Sequence, residues 1–203
     1  PQVLGIDEHL FTRKKGYATT LCNLQKSRVH DVVLGRSEKA LDGYLRALPG
    51  RENTRVVVMD LSETYRSIAR KYFPNALVVA DRFHVIRLIN HQFMETWKLL
   101  DPVGRRNRGL ISLMRRHHEN LKPEQKRRLR KYLKEVSGLE PIYDFKQKLA
   151  KLLSHKHQTA RQCRPLIKQF LNLIEQLKDS GFTPLETLGK TLESWQKEIA
   201  RMW

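Results

Sequence analysis

Three aspartates in this chain each follow a run of apolar, strand-forming residues. Asp7 closes VLGID at 3–7, Asp60 closes RVVVMD at 55–60, and Asp81 closes NALVVAD at 75–81. In an open sheet the carboxyl ends of parallel strands form the ligand crevice, so acids placed there converge even when far apart in sequence. Converging carboxylates repel unless a cation neutralises them, and hard oxygen donors select Mg²⁺ or Mn²⁺. Two such ions about 4 Å apart can activate a water or a 3′-hydroxyl and stabilise the leaving oxygen of a phosphoryl transfer. Each acid taken singly also has a plainer use as a turn residue or helix cap, and Asp60, before Leu61-Ser62, could cap the next helix. Asp81 and His84 form D-x-x-H, an auxiliary pair that could contact metal, phosphate or Asp60, or else cap a helix and bond locally. Glu8 points to the opposite face from Asp7 if the strand continues, and is read as structural.

Other chemistries find little support. His117-His118, His155 and His157 include no helical i, i+4 pair with a carboxylate partner, so they read as histidines on a basic surface. Neither G-x-x-x-x-G-K-[ST] nor G-x-S-x-G occurs, which disfavours an ATP-driven motor and a serine nucleophile. The two cysteines, Cys22 and Cys163, have no C-x-x-C spacing, so a disulfide framework or cysteine zinc site is not expected, and a reducing, cytoplasmic setting is.

Charge points to the partner. The 203 residues carry 39 Lys and Arg against 21 Asp and Glu, a formal net charge of +18, which implies a polyanion such as double-stranded DNA. Most of the excess falls after residue 100, with 23 basic and 11 acidic residues against 16 and 10 before it. Three clusters within 27 residues are dense enough to contact phosphates: Arg105, Arg106 and Arg108; Arg115 and Arg116; and Lys126, Arg127, Arg128, Arg130 and Lys131. Sparse aromatic interleaving disfavours stacking on single strands as the main mode. No apolar run approaches the roughly 20 residues of a membrane span, so no membrane partner is expected.

The elements that must position these residues differ between the halves. Residues 1–100 alternate: strands at 3–7, 17–24 and 28–35, a helix begun by Ser37 and stopped by Pro49-Gly50, a strand at 55–60, a helix at 62–72, a strand at 75–81, and a long helix after it. That order is the ribonuclease-H-like one, and it predicts a mixed five-stranded α/β sheet ordered 3-2-1-4-5. Residues 101–203 lose β-branched runs in favour of Leu, Lys, Arg, Glu and Gln, predicting an all-helical region with a helix starting near Pro123 and another over 185–199. The chain opens on PQVLGIDE without an initiator Met, as an excised piece would.

GIDEH, the GRS at 35–37, VVMDLSETY, FPNALVVADRFHVIRLIN, ENL, KYLKE and WQKEIARMW resemble successive blocks of the DDE transposases of the ISL-three family of bacterial insertion sequences, across nearly the whole chain. The resemblance implies a ribonuclease-H-like catalytic core at 1–100, with a large all-helical insertion at 101–203 ahead of the last catalytic segment. It carries the first two catalytic, metal-binding acids onto Asp7 and Asp60, with Mg²⁺ or Mn²⁺ as cofactor and transposon-end cleavage and strand transfer as the reaction. The third acid of that family, a glutamate in a TNG-x-x-EG-like block, is expected beyond Trp203, which implies that this fragment alone is inactive. A homodimer is possible. Another ribonuclease-H-like nuclease and a non-catalytic DNA-binding module are the rival readings.

Overall fold

All 203 residues are described by the structure, a computed structural model. Five strands form one mixed sheet in the order β3-β2-β1-β4-β5. They are β1 (Val3–Thr12), β2 (Gly16–Asn23), β3 (Arg28–Leu34), β4 (Val56–Met59) and β5 (Leu77–Ala80). The first three are antiparallel, whereas β4 runs parallel to both β1 and β5. Leu4, Ile6, Val57, Met59, Val78 and Ala80 are buried, which is why the short parallel strands read as unbroken apolar runs.

The first two helices follow their local signals. In α1 (Glu38–Ala47) and α2 (Glu63–Tyr72) the Ser37 and Ser62 hydroxyls accept N–H bonds from Ala40 and Tyr65, satisfying donors that a bare helix start leaves open. Asp60 is therefore not the cap of α2. Inside the sheet unit Tyr65 also meets the Thr19 hydroxyl at 2.9 Å, both side chains buried.

One strand differs from its expected length. β1 does not stop at Asp7 but continues to Thr12, because residues 7–12 pair with β2, Asp7 lying opposite Thr20. What ends beside Asp7 is the parallel pairing to β4, whose last partners are Ile6 and Met59.

After β5 the chain is helical: α3 (Arg82–Leu100), α4 (Arg108–Arg115), α5 (Pro123–Glu135), α6 (Leu139–Ser154), α7 (Ala160–Lys178), α8 (Thr183–Ser194) and α9 (Gln196–Ala200). The single helix expected over 185–199 is two, broken at Trp195, which leaves helical geometry at φ −109° and ψ 9° with its ring buried.

The chain divides into two compact units, Pro1–Val85 with Lys197–Met202, and Ile86–Gln196 with Trp203. The first unit thus takes back a C-terminal segment. Glu198, 3% exposed, pairs there with Arg70 at 3.2 Å and Arg66 at 3.7 Å, while Arg201 donates to the Val78 carbonyl. In the second unit Trp97, Leu110, Leu113, Leu129, Leu133 and Tyr143 belong to one core. Tyr132 joins that core through its hydroxyl, which accepts from Trp97 Nε1 and donates to Asp101, both at 2.6 Å. Gly189 lets α8 approach α7, since a Cβ there would lie 2.8 Å from Lys178 Cγ.

Candidate active site and nucleic-acid interface

The register sets three acids side by side. Ile6, Met59 and Ala80 close the parallel pairings among β1, β4 and β5, and Asp7, Asp60 and Asp81 each come one position later. The Asp81 backbone N–H donates to the Met59 carbonyl, holding that end of the row in line. His84, in the first turn of α3, faces the acids, with Nε2 3.6 Å from Asp7 Oδ1 and 4.0 Å from Asp81 Oδ2. Asp81 has a second use, since its Oδ1 accepts the Phe83 N–H and caps α3.

Asp60 stands in the most demanding environment. Its Oδ1 is buried without a hydrogen-bond partner. Burial raises the pKa of its carboxyl, and the negative charges of Glu8 and Asp7 push the same way, while His84 and the Ser62 backbone N–H oppose them. The donors suit a hard divalent cation, because an orphaned carboxylate oxygen beside a second carboxylate gains most from a positive partner. No three His, Cys, Asp or Glu side chains gather closely enough to hold an ion among themselves. Glu198 is committed to its ion pairs with Arg66 and Arg70.

Glu8 matters more than strand alternation suggests. Its side chain pairs with Arg36 at 3.4 Å, yet its charge acts on Asp60 ahead of that of Asp7. Alternation along a strand tells which face a residue takes but not how far its charge reaches.

The basic clusters sort by their surroundings. Arg105 is largely engaged inside the helical unit, donating from Nε to the Met94 carbonyl and lying 6.0 Å from the Trp97 ring centre. Arg106, Arg108, Arg115, Arg116, Arg127 and Arg130 are exposed. Arg128, also exposed, rests against Gly109, where a Cβ would come within 3.1 Å of its guanidinium. Along α5 a groove of about 530 Å³ is lined by Pro123, Lys126, Arg127, Arg130, Lys131 and Lys134, with no acid among them. Lys134 was not singled out from the sequence, although it stands one helical turn beyond Arg130 and Lys131.

The chain thus joins a mixed α/β sheet with a row of acids to a strongly basic helical unit. The comparison with known families is specific: the ISL3-type DDE transposase family, described as transposase, matches residues 4–203, and the chain belongs to it. Among curated proteins it is similar to the transposase for insertion sequence element IS1001 of Bordetella parapertussis, 22% identical over 205 residues and covering 96% of this chain. The match takes in 49% of that relative, so the chain spans about half its length. No solved structure matches. No helix is long and apolar enough to cross a membrane.

Proposed function

We propose that this chain is the catalytic core of a DNA transposase with a ribonuclease-H-like sheet, in which Asp7 and Asp60 hold Mg²⁺ or Mn²⁺ and the basic helices after residue 100 grip duplex DNA. The observation that carries the reading is the row Asp7, Asp60, Asp81 at one level of the sheet, with the buried Asp60 Oδ1 unpartnered. A divalent ion bound there supplies Lewis-acid activation of a water or 3′-hydroxyl and charge neutralisation at the scissile phosphate. The chain's own residues prepare for it. Burial of Asp60 makes its carboxylate costly until a cation arrives, and His84 Nε2 stands 3.6 Å from Asp7 and 4.0 Å from Asp81. Asp81 orients the start of α3 and with it His84.

Because no three ligating side chains gather closely enough to hold an ion by themselves, the 203-residue chain is expected to be inactive on its own. The same observation favours a second reading, a DNA-binding module that keeps the fold without the chemistry.

Mn²⁺ titration followed by thermal melting decides between them. The catalytic reading expects Mn²⁺ to raise the melting temperature, an effect lost in Asp60→Asn and Asp7→Asn. In the full-length transposase each substitution should cut strand cleavage by more than the ~10–100-fold typical of losing an outer-sphere partner. No Mn²⁺ response, or one indifferent to Asp60→Asn, leaves the binding module.

A further inference from the structure

The helical unit contains a second groove, of about 500 Å³, between α5 and α6. Its rims carry opposite charge, with Arg130 and Lys134 from α5 on one side and Glu140 and Asp144 from α6 on the other. No ion pair joins the rims. Tyr143 of α6 also lines the groove, 2% exposed, and its hydroxyl is buried without a hydrogen-bond partner. The apolar lining comes from Leu129 and Leu133. At the end of the groove Gln147 is already spent, accepting from the His118 N–H and donating to the Arg116 carbonyl.

This charge pattern restricts the ligand. A bare phosphate suits the cations but is repelled by two carboxylates, and a simple amine has the converse difficulty. A nucleotide satisfies both rims at once: its phosphate is the anion, and the Watson–Crick edge of an amine-bearing base offers N–H donors. That edge is free only when the base is unpaired. The groove volume lies in the range of pockets that enclose a small molecule. Glu140 also suits the first turn of α6, where an acid meets the positive end of the helix, whereas Asp144 lies beyond that turn.

We propose that the α5–α6 groove takes an unpaired, amine-bearing nucleotide of a DNA strand, with its phosphate against Arg130 and Lys134 and its base edge against Glu140, Asp144 and the Tyr143 hydroxyl. The site rests on the DNA reading and sharpens it, because it separates a strand with an extruded base from an intact duplex. Burial and the nearby Asp144 push the Tyr143 hydroxyl up to about 12, so it stays a donor at neutral pH.

The test is fluorescence anisotropy at fixed salt with three DNAs: a duplex, the same duplex with one unpaired adenine, and the same duplex with an abasic nucleotide in its place. The 203-residue chain should bind the adenine DNA on the order of tenfold more tightly than the other two, the discrimination of a good base contact. Tyr143→Phe, which removes only the unpartnered oxygen, should reduce that preference. The surface pair Glu140→Gln with Asp144→Gln should abolish it while leaving duplex affinity equal or higher, since two negative charges are gone. Equal binding of the adenine and abasic DNAs, or a preference that survives both variants, would overturn the site. Duplex binding without preference overturns this inference alone, whereas failure to bind any of the three DNAs overturns the DNA reading with it.

Discussion

The two units of this molecule handle charge by opposite means. In the sheet unit, carboxylates are brought together by strand register, and the half-buried Asp60 is made costlier to ionise by its burial and by the charges of Glu8 and Asp7. In the helical unit, cations are spread along the exposed face of α5, where water screens them. Concentrating charge under partial burial creates a demand for one small counter-ion in one place. Spreading it over a helix creates a diffuse attraction for a long polyanion, tunable by salt and indifferent to any single residue. A metal site and a backbone-gripping surface therefore call for different architectures, and the proposed function asks this chain for one of each.

The sharpest way to break that contrast is to discharge the α5 groove. Replacing Lys126, Arg127, Arg130 and Lys131 together with Gln should lower the slope of log affinity against log salt by about 0.9 for each phosphate that is no longer neutralised, up to roughly 3 to 4. Duplex affinity near 100 mM salt should fall by orders of magnitude while the Mn²⁺ response of the sheet unit is unchanged. Anisotropy titrations at several salt concentrations, with a metal melt alongside, check both halves. A salt slope that does not change would mean that α5 is not the DNA face.

A smaller effect should follow at Glu198. Replacing it with Ala removes its ion pairs with Arg66, which keeps Glu63 as a partner, and with the exposed Arg70, and should cost about 1–3 kcal/mol of stability, readable by urea unfolding. That loss should spare the Tyr132 network, so near-ultraviolet signals from Trp97 would persist to higher urea than the loss of strand structure. Simultaneous loss of both would show that the two units unfold as one.

The smallest expected effect is also the most diagnostic in sign. A carboxyl whose folded pKa is raised favours the fold while protonated, and that contribution disappears as pH climbs from the unfolded value of about 3.9 through the folded one. Without metal, Asp60→Asn should therefore melt higher than the parent at pH 7, with a gap that closes toward pH 4. With Mn²⁺ the order should invert. A gap that ignores pH would mean that the surroundings of Asp60 do not raise its pKa.

Much of the sheet unit was legible because its signals are local and redundant. The run VVVM between a polar lead and Asp60 can be little other than a buried strand, and Ser37 and Ser62 announce the helices they cap. The strand order and the level of the three acids follow from such pieces. What escaped depends on distant partners. β1 runs past Asp7 because β2 is there to pair with it, and HLFT carries no sign of that by itself. The break at Trp195 arises where the chain passes from one unit to the other, which a uniformly helical stretch of Leu, Glu and Lys conceals. Arg105, read as a phosphate contact, is largely occupied with a backbone carbonyl inside its own unit, and nothing in the run RRNR separates it from its neighbours. Tyr143 reads as one more core aromatic, since an unpartnered hydroxyl is a property of packing and not of spacing.

The return of residues 197–202 to the sheet unit has a kinetic side. Arg70 and Glu198 are 128 positions apart, so the contact that fastens this segment is among the most non-local in the chain. Closing so long a loop from a disordered chain is slow, and its entropy cost grows with the logarithm of loop length. An excursion that has already collapsed into helices is a shorter tether. During synthesis the β1–β5 sheet must wait, its α9 latch missing, until some 110 intervening residues have left the ribosome, and helices that form from neighbouring residues within about a microsecond are well suited to shorten that wait.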